Sequence, residues 1–152
     1  MDTIKIHKGN VKLIAHRGVS GLELENTCAA FVAAGNRSYF GIETDVHVTA
    51  DGKFIIIHDS NTQRVATEAM VVEESSFKAQ YLLAEEITKE HIRKMAENGI
   101  HLDTHYLALS KALVDTLHSH GILINCWTVD DPAIAEKLVA WGVDQITSNI
   151  LE

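Results

Sequence analysis

Glu43 and Asp45 stand two residues apart in the run Gly41–Val48. In a strand that spacing turns both carboxylates to one side of the chain. Oxygen ligands placed this way suit a hard divalent cation, magnesium or calcium, held at about 2.0 to 2.6 Å. Alone, such a pair more often marks a solvated strand face than a metal site; what changes the reading is its company. His16-Arg17-Gly18 sets an acid/base group beside a fixed cation that can grip phosphate through two parallel hydrogen bonds, with a glycine that allows close backbone approach. His58-Asp59 sets a second histidine beside a carboxylate able to tune its proton affinity. A lone histidine there is more often structural, so the weight lies on the order and spacing of the three clusters. His47 continues the alternation of Glu43 and Asp45 but falls nearest the following turn, as a rim or surface residue.

The elements that must position these groups follow from hydrophobic pattern and punctuation. Val11 to Ala15 reads as a strand ending at His16. Asn26 or Thr27 can cap a helix over Cys28 to Ala34, with Gly35 to end it. Gly41 to Val48 alternates as a strand, Asp51-Gly52 supplies a hairpin turn, and Phe54 to Ile57 forms a second strand ending at His58. Ser60 to Lys78 is polar and aperiodic, with Glu73-Glu74-Ser75-Ser76 inside it, and reads as loop. Beyond it come a strand at Tyr81 to Ala84, a helix at Lys89 to Glu97 stopped by Asn98-Gly99, and a strand-like Ile100-His101-Leu102. Leu109, Leu113 and Leu117 recur at helical spacing, and Ile122 to Val129 is a further strand. Asp131-Pro132 opens a helix carrying Ile134, Leu138 and Trp141 on one face, Gly142 closes it, and Val143 to Thr147 is the last strand. Alternating strands and helices with polar groups at strand ends predict an α/β fold with a largely parallel sheet, of the TIM-type βα barrel. A full barrel needs about 200 residues or more. With 152 residues and about six or seven strands, this barrel is shortened or incomplete.

Composition narrows the partners. With 46% hydrophobic and 22% charged residues the chain has the material for one core, and residues 1–152 read as a single domain. A net charge of -8 leaves no basic stripe for a nucleic-acid backbone, whereas a small anionic substrate can still be held by local cations or a metal. The start lacks the apolar core of a signal peptide and no stretch has the length of a membrane span, which reads as cytoplasmic. Cys28 and Cys126 lie in apolar runs and read as buried thiols rather than a disulfide.

LIAHRGVSGLELENTCAAF (residues 13–31) and GIETDVHVTADGKFIIIHD (41–59) resemble the N-terminal signature of the glycerophosphodiester phosphodiesterase family, including its Glu25-Asn26-Thr27 segment. Trp127-Thr128-Val129 is similar to that family's C-terminal Trp-Thr-Val segment, and residues 79 to 152 resemble the last third of its fold. The resemblance implies a barrel of the PLC-like phosphodiesterase kind. It also implies a bound Mg2+ or Ca2+, and hydrolysis of small phosphodiesters such as glycerophosphocholine to an alcohol and glycerol 3-phosphate. On the matching positions, His16 and His58 become the acid/base pair, Arg17 steadies the phosphate, Glu43 and Asp45 bind the metal, and Trp127 lines the pocket. The nucleophile is then either water or the substrate's own glycerol hydroxyl. Lysophospholipase D or sphingomyelinase D chemistry would use the same groups.

The chain departs from the pattern after Thr62-Gln63-Arg64, where the family carries a long insertion and a strand with Glu-x-Lys. Glu85, Glu86 and Asp103 are the acidic candidates to replace that glutamate, and each reads as a surface residue. Three readings follow: a working hydrolase, a shortened relative that binds phosphate or metal without turnover, and a barrel fragment that completes its sheet with a second copy as a homo-oligomer.

Overall fold

The computed structural model describes residues 2–49, 51–65, 81–83 and 86–152. Within it, β1 (Lys12–Ala15), β2 (Gly41–Ile42), β5 (Tyr81–Leu83), β6 (Leu102–His105), β7 (Ile124–Trp127) and β8 (Gln145–Ser148) form one sheet in the order β2-β1-β8-β7-β6-β5. Every pairing in it is parallel. The short β3 (Val46–Val48) and β4 (Phe54–Ile56) form a separate antiparallel hairpin. Helices α1 (Cys28–Gly35), α2 (Lys89–Asn98), α3 (Lys111–Ser119) and α4 (Pro132–Trp141) connect the strands. Among the described residues the sheet does not close, and β2 and β5 are its edges. This is the α/β arrangement of a shortened βα barrel.

Strand periodicity sorts the side chains. Leu102 and Thr104 of β6, and Ile124 and Cys126 of β7, are buried, while the alternate residues Asp103, His105, Asn125 and Trp127 are half-buried on the other face. Leu102, Ile124 and Cys126 join Leu13 and Ile146 in a core with Ile92 and Met95 of α2, Val114 and Leu117 of α3, and Ala135 and Leu138 of α4. Each such aliphatic side chain gains about 1.5–3 kcal/mol by leaving water. The opposite face carries half-buried groups, of which Asp103, Asn125 and Trp127 border the site described below.

The helix ends follow the punctuation in the sequence. Thr27, Thr88, Ser110 and Asp131 each accept a first-turn backbone N–H with the side chain. Gly99 and Gly142 end α2 and α4 in the left-handed conformation. Gly35 differs from expectation: it is the last residue of α1, and the cap is Asn36 at φ -86, where no glycine is required. Asn26 does not cap α1 either; its side chain is drawn to Asp45 instead. Gly41 to Val48 is not one strand. β2 ends at Ile42 and β3 starts at Val46, because the first part pairs with β1 and the second with β4. Cys28 is exposed, since it occupies the first turn of α1 on its solvent side, whereas Cys126 is buried as expected. Of the loop expected at Ser60 to Lys78, residues 66–78 lie outside the described residues, as do Ala84 and Glu85.

Candidate active site

β1 delivers His16 at its end, tied to β8 by the His16 N–H donating to the Ser148 carbonyl at 2.9 Å. The chain then turns sharply: Arg17 has φ 54 and Gly18 has φ 80. A Cβ on Gly18 would stand 2.6 Å from the Ala30 Cβ, so the turn packs onto α1 at a distance only glycine permits. This fold-back aims the Arg17 backbone N–H at Glu43 Oε2, 3.1 Å away. Glu43 itself continues the β1–β2 ladder, its N–H bonding the Ala15 carbonyl at 3.0 Å. Although residues 43–45 are not strand, exposure still alternates there, so Glu43 and Asp45 share the inner side while Thr44 faces out.

Arg17 and Asn26 converge on Asp45. The Asp45 Oδ2 atom accepts from Asn26 Nδ2 at 2.9 Å and lies 3.4 Å from Arg17 Nε. Asn26 also stands at a positive φ, 57, and its amide oxygen accepts from the Thr44 hydroxyl. Arg17 donates through NH1 to Glu25 Oε1 at 3.0 Å. Arg64 reaches the same Glu25 with two bonds, of 2.6 and 2.7 Å, and donates to Asp59 Oδ2 at 2.6 Å. Asp59 in turn accepts from His58 Nδ1 at 2.7 Å. The hydrogen bond from Arg64, then that from His58, holds the Asp59 carboxyl down to about 2, so it stays a carboxylate and His58 Nδ1 carries the hydrogen. One ionic chain thus links the three clusters picked out by sequence spacing.

These groups meet in a cavity of about 230 Å³, lined by His16, Arg17, Glu43, Asp45, His58 and Trp127 together with Asp103, Asn125, Thr128 and Thr147. All six residues singled out in the sequence border it; His47, paired with Ile55 in the hairpin, does not. Asp103 corrects an expectation. It is not a surface residue: strand alternation turns it inward from β6, where Asn125 donates to it at 2.9 Å and Thr147 donates to Asn125 at 3.1 Å. Burial, with Glu43's charge adding and Asn125 opposing, pushes Asp103 up to about 6. Burial first, and then the neighbouring Asp45, also raises Glu43. Glu86, the other described candidate, is exposed and does not border the cavity.

Arg64, Asn125 and Thr147 were not selected from the sequence, and Asp103 was named there as an acidic candidate but read as surface. Asp103 had a usable signal, a carboxylate alternating with Leu102 and Thr104 inside a strand; Arg64 had none, because its partners are 5 and 39 residues away.

The arrangement can hold an anion against a cation and move protons. Two histidines have Nδ1 engaged, His16 with the Asn149 amide oxygen at 2.7 Å and His58 with Asp59, which leaves each Nε2 for chemistry. Glu43 and Asp45 offer hard oxygen ligands crowded enough that a bound cation would relieve their repulsion. Among the described residues, no three His, Cys, Asp or Glu side chains lie close enough to share one ion.

The model of the glycerophosphoryl diester phosphodiesterase family matches the chain in two overlapping stretches, residues 16–104 and 76–151. An uncharacterized protein of Mycoplasma genitalium is 34% identical over 129 residues, covering 72% of this chain and 53% of that protein. A glycerophosphodiester phosphodiesterase of Bacillus altitudinis is 38% identical over 66 residues, covering 43% of this chain and 27% of the enzyme. The chain thus matches about half the length of the first relative and less of the second. Among solved structures, the Thermotoga maritima glycerophosphodiester phosphodiesterase superposes with a TM-score of 0.81 at 19% identity, covering 94% of this chain and 96% of that one. A phosphodiesterase of Oleispira antarctica, in complex with the product sn-glycerol-3-phosphate, superposes with a TM-score of 0.80 at 16% identity, covering 91% and 92%.

Proposed function

Because the chain belongs to the glycerophosphoryl diester phosphodiesterase family, we propose that it hydrolyses small glycerophosphodiesters to an alcohol and glycerol 3-phosphate. The supporting observation is that His16, His58, Arg17, Glu43 and Asp45, drawn from three separated segments, border one cavity. Glu43 and Asp45 are the pair that would hold a magnesium or calcium ion, through hard carboxylate oxygens. When bound, that ion supplies positive charge to the phosphate oxygens.

Arg17 has five N–H donors on a rigid fork, and Glu25 and Asp45 fix that fork in place beside the phosphate position. One histidine accepts, at Nε2, the proton of the attacking oxygen, which belongs either to water or to the substrate's own glycerol hydroxyl. The other donates a proton to the leaving alcohol oxygen as its bond to phosphorus breaks. With the glycerol hydroxyl as nucleophile, water opens the resulting cyclic phosphate in a second turn of the same pair. Trp127 lines the cavity beside them.

Release of glycerol 3-phosphate from glycerophosphocholine, assayed with magnesium, with calcium and with chelator, tests this reading. His16→Ala and His58→Ala should each lower kcat by about 10²–10⁴-fold. Absence of both turnover and divalent-cation binding would sink the proposal. A second reading, binding without turnover, draws on the lack of a three-residue ion shell among the described residues. Saturable binding of glycerol 3-phosphate with no detectable hydrolysis would select it.

A further inference from the structure

Asp130 follows β7 and Asn149 follows β8, and neither borders the cavity. Asp130 Oδ1 accepts from the Ser148 hydroxyl at 3.0 Å and from the Asn149 backbone N–H at 2.8 Å. Its Oδ2 accepts from Asn149 Nδ2 at 2.6 Å. A carboxylate accepts only, so the Asn149 amide must turn its nitrogen towards Asp130. The opposite flip would press an amide oxygen against a carboxylate oxygen. With the nitrogen so committed, Asn149 Oδ1 faces the other way, where it accepts from the Ser20 hydroxyl at 2.5 Å and meets His16 Nδ1 at 2.7 Å.

An amide oxygen also only accepts, so His16 Nδ1 must carry the hydrogen. The remaining nitrogen, Nε2, stands 3.9 Å from Glu43 Oε2 at the cavity. In the neutral ring that nitrogen holds the free lone pair. We propose that Asp130 and Asn149 are positioning residues that lock His16 in its Nδ1–H tautomer, making Nε2 the nitrogen that exchanges protons with substrate. The orienting group for this histidine is then a neutral amide set by a carboxylate, whereas His58 is held by the carboxylate of Asp59 directly. The two histidines are thereby held differently, and only His16 depends on the direction of an amide.

The inference rests on the acid–base role proposed for His16, and its test is independent of turnover. In the full chain carrying 15N-labelled histidine, long-range 1H–15N correlation spectra report which ring nitrogen is protonated, with His16 assigned by its loss in His16→Gln. At a pH where the ring is neutral, the wild-type His16 should give the Nδ1–H pattern. Asn149→Ala should move it towards the Nε2–H form that a free histidine side chain favours, with the His58 pattern unchanged as the control for folding. Asp130→Asn, which keeps the shape but frees the amide to flip, should shift the His16 pattern in the same direction. In the turnover assay, Asn149→Ala should lower kcat about 10- to 100-fold, the scale of an orienting partner, with KM changed less than about 2-fold. A wild-type His16 in the Nε2–H form overturns the proposal before any variant is made. So does a His16 pattern that stays the same in both variants. A wild type with the Nδ1–H pattern and no turnover would instead uphold the tautomer lock and remove the hydrolase reading.

Discussion

On one side of the cavity, the segments that follow β1, β2 and the β3–β4 hairpin bring together Arg17, Glu25, Glu43, Asp45, Asp59 and Arg64. On the other, β6, β7 and β8 present one carboxylate, Asp103, in a row of neutral groups, Asn125, Thr147 and Trp127. The two sides differ as much in what lies behind them. Ile124, Cys126 and Ile146, on the outward face of β7 and β8, are 0% exposed, whereas Val46, Phe54 and Ile56 of the hairpin are 49%, 78% and 41% exposed. The hairpin part of the charged side is held by reciprocal pairing, whereas β1, with Leu13 and Ala15 0% exposed, is backed by buried residues as the neutral side is. Ion pairs such as Arg64–Glu25, whose arginine is 46% exposed, contribute about 0–1 kcal/mol each. Stability is therefore concentrated behind β1 and β6–β8, and the hairpin that leads to His58 and Asp59 is the less buried part.

Truncation separates the two halves most sharply. Ile124→Ala should cost about 2–5 kcal/mol, because it opens a cavity in the core behind β7. Phe54→Ala, at a side chain 78% exposed, should change stability by no more than about 0.5 kcal/mol. Urea unfolding of both variants gives the comparison. Similar losses would mean that the hairpin side is buried in solution and that the contrast between the halves is false.

A smaller effect comes from the seam where the charged side joins α1. Gly18→Ala places a Cβ 2.6 Å from the Ala30 Cβ at a backbone φ of 80, so both strain and overpacking oppose it. The expected cost is about 1–3 kcal/mol in urea unfolding. Turnover should fall further than that loss explains, because the same turn aims the Arg17 N–H at Glu43. Full activity with unchanged stability would show that the turn can relax without disturbing the pair.

What could be read from the sequence follows the same division. His16-Arg17, Glu43-x-Asp45 and His58-Asp59 of the charged side are local patterns legible by type and spacing, whereas Arg64, which ties Glu25 to Asp59, is not. Their geometry was not readable. Residues 41–48 alternate throughout, yet the chain changes partner between Ile42 and Val46, and alternation records which side faces in, not which strand lies alongside. Asn26 shows a related gap: a cap at Asn26 or at Thr27 fits the local code, and only the presence of Asp45, 19 residues on, decides that Asn26 turns into the site. On the neutral side the helix caps at Asp131 and Gly142 were plain, because punctuation is local. Asp103 was set aside there as surface, although its bond to Asn125 crosses 22 residues of sequence through β6–β7 pairing. Register, the property that makes this contact, leaves no trace in either segment alone.

Asp103 is also where the neutral side comes nearest to the character of the charged one, and its titration tests how dry that side is. Burial raises its carboxyl from 3.8 to about 6, so the folded protein binds this proton more tightly than the unfolded chain does. The stability so gained is complete below about pH 3.8 and is lost as pH rises through about 6. Above that range the folded state carries a charge it would rather not bury. Asp103→Asn removes the charge and keeps an oxygen to accept from Asn125, so it should stabilise the protein near neutrality. Solvent screening of a half-buried group reduces the gain to the order of 1 kcal/mol. Urea midpoints at about pH 7.5 and about pH 4 measure it: the variant should lead at the higher pH and draw level at the lower. Equal midpoints at both would mean that water reaches Asp103 freely, and that the neutral side is as open to solvent as the charged side it faces.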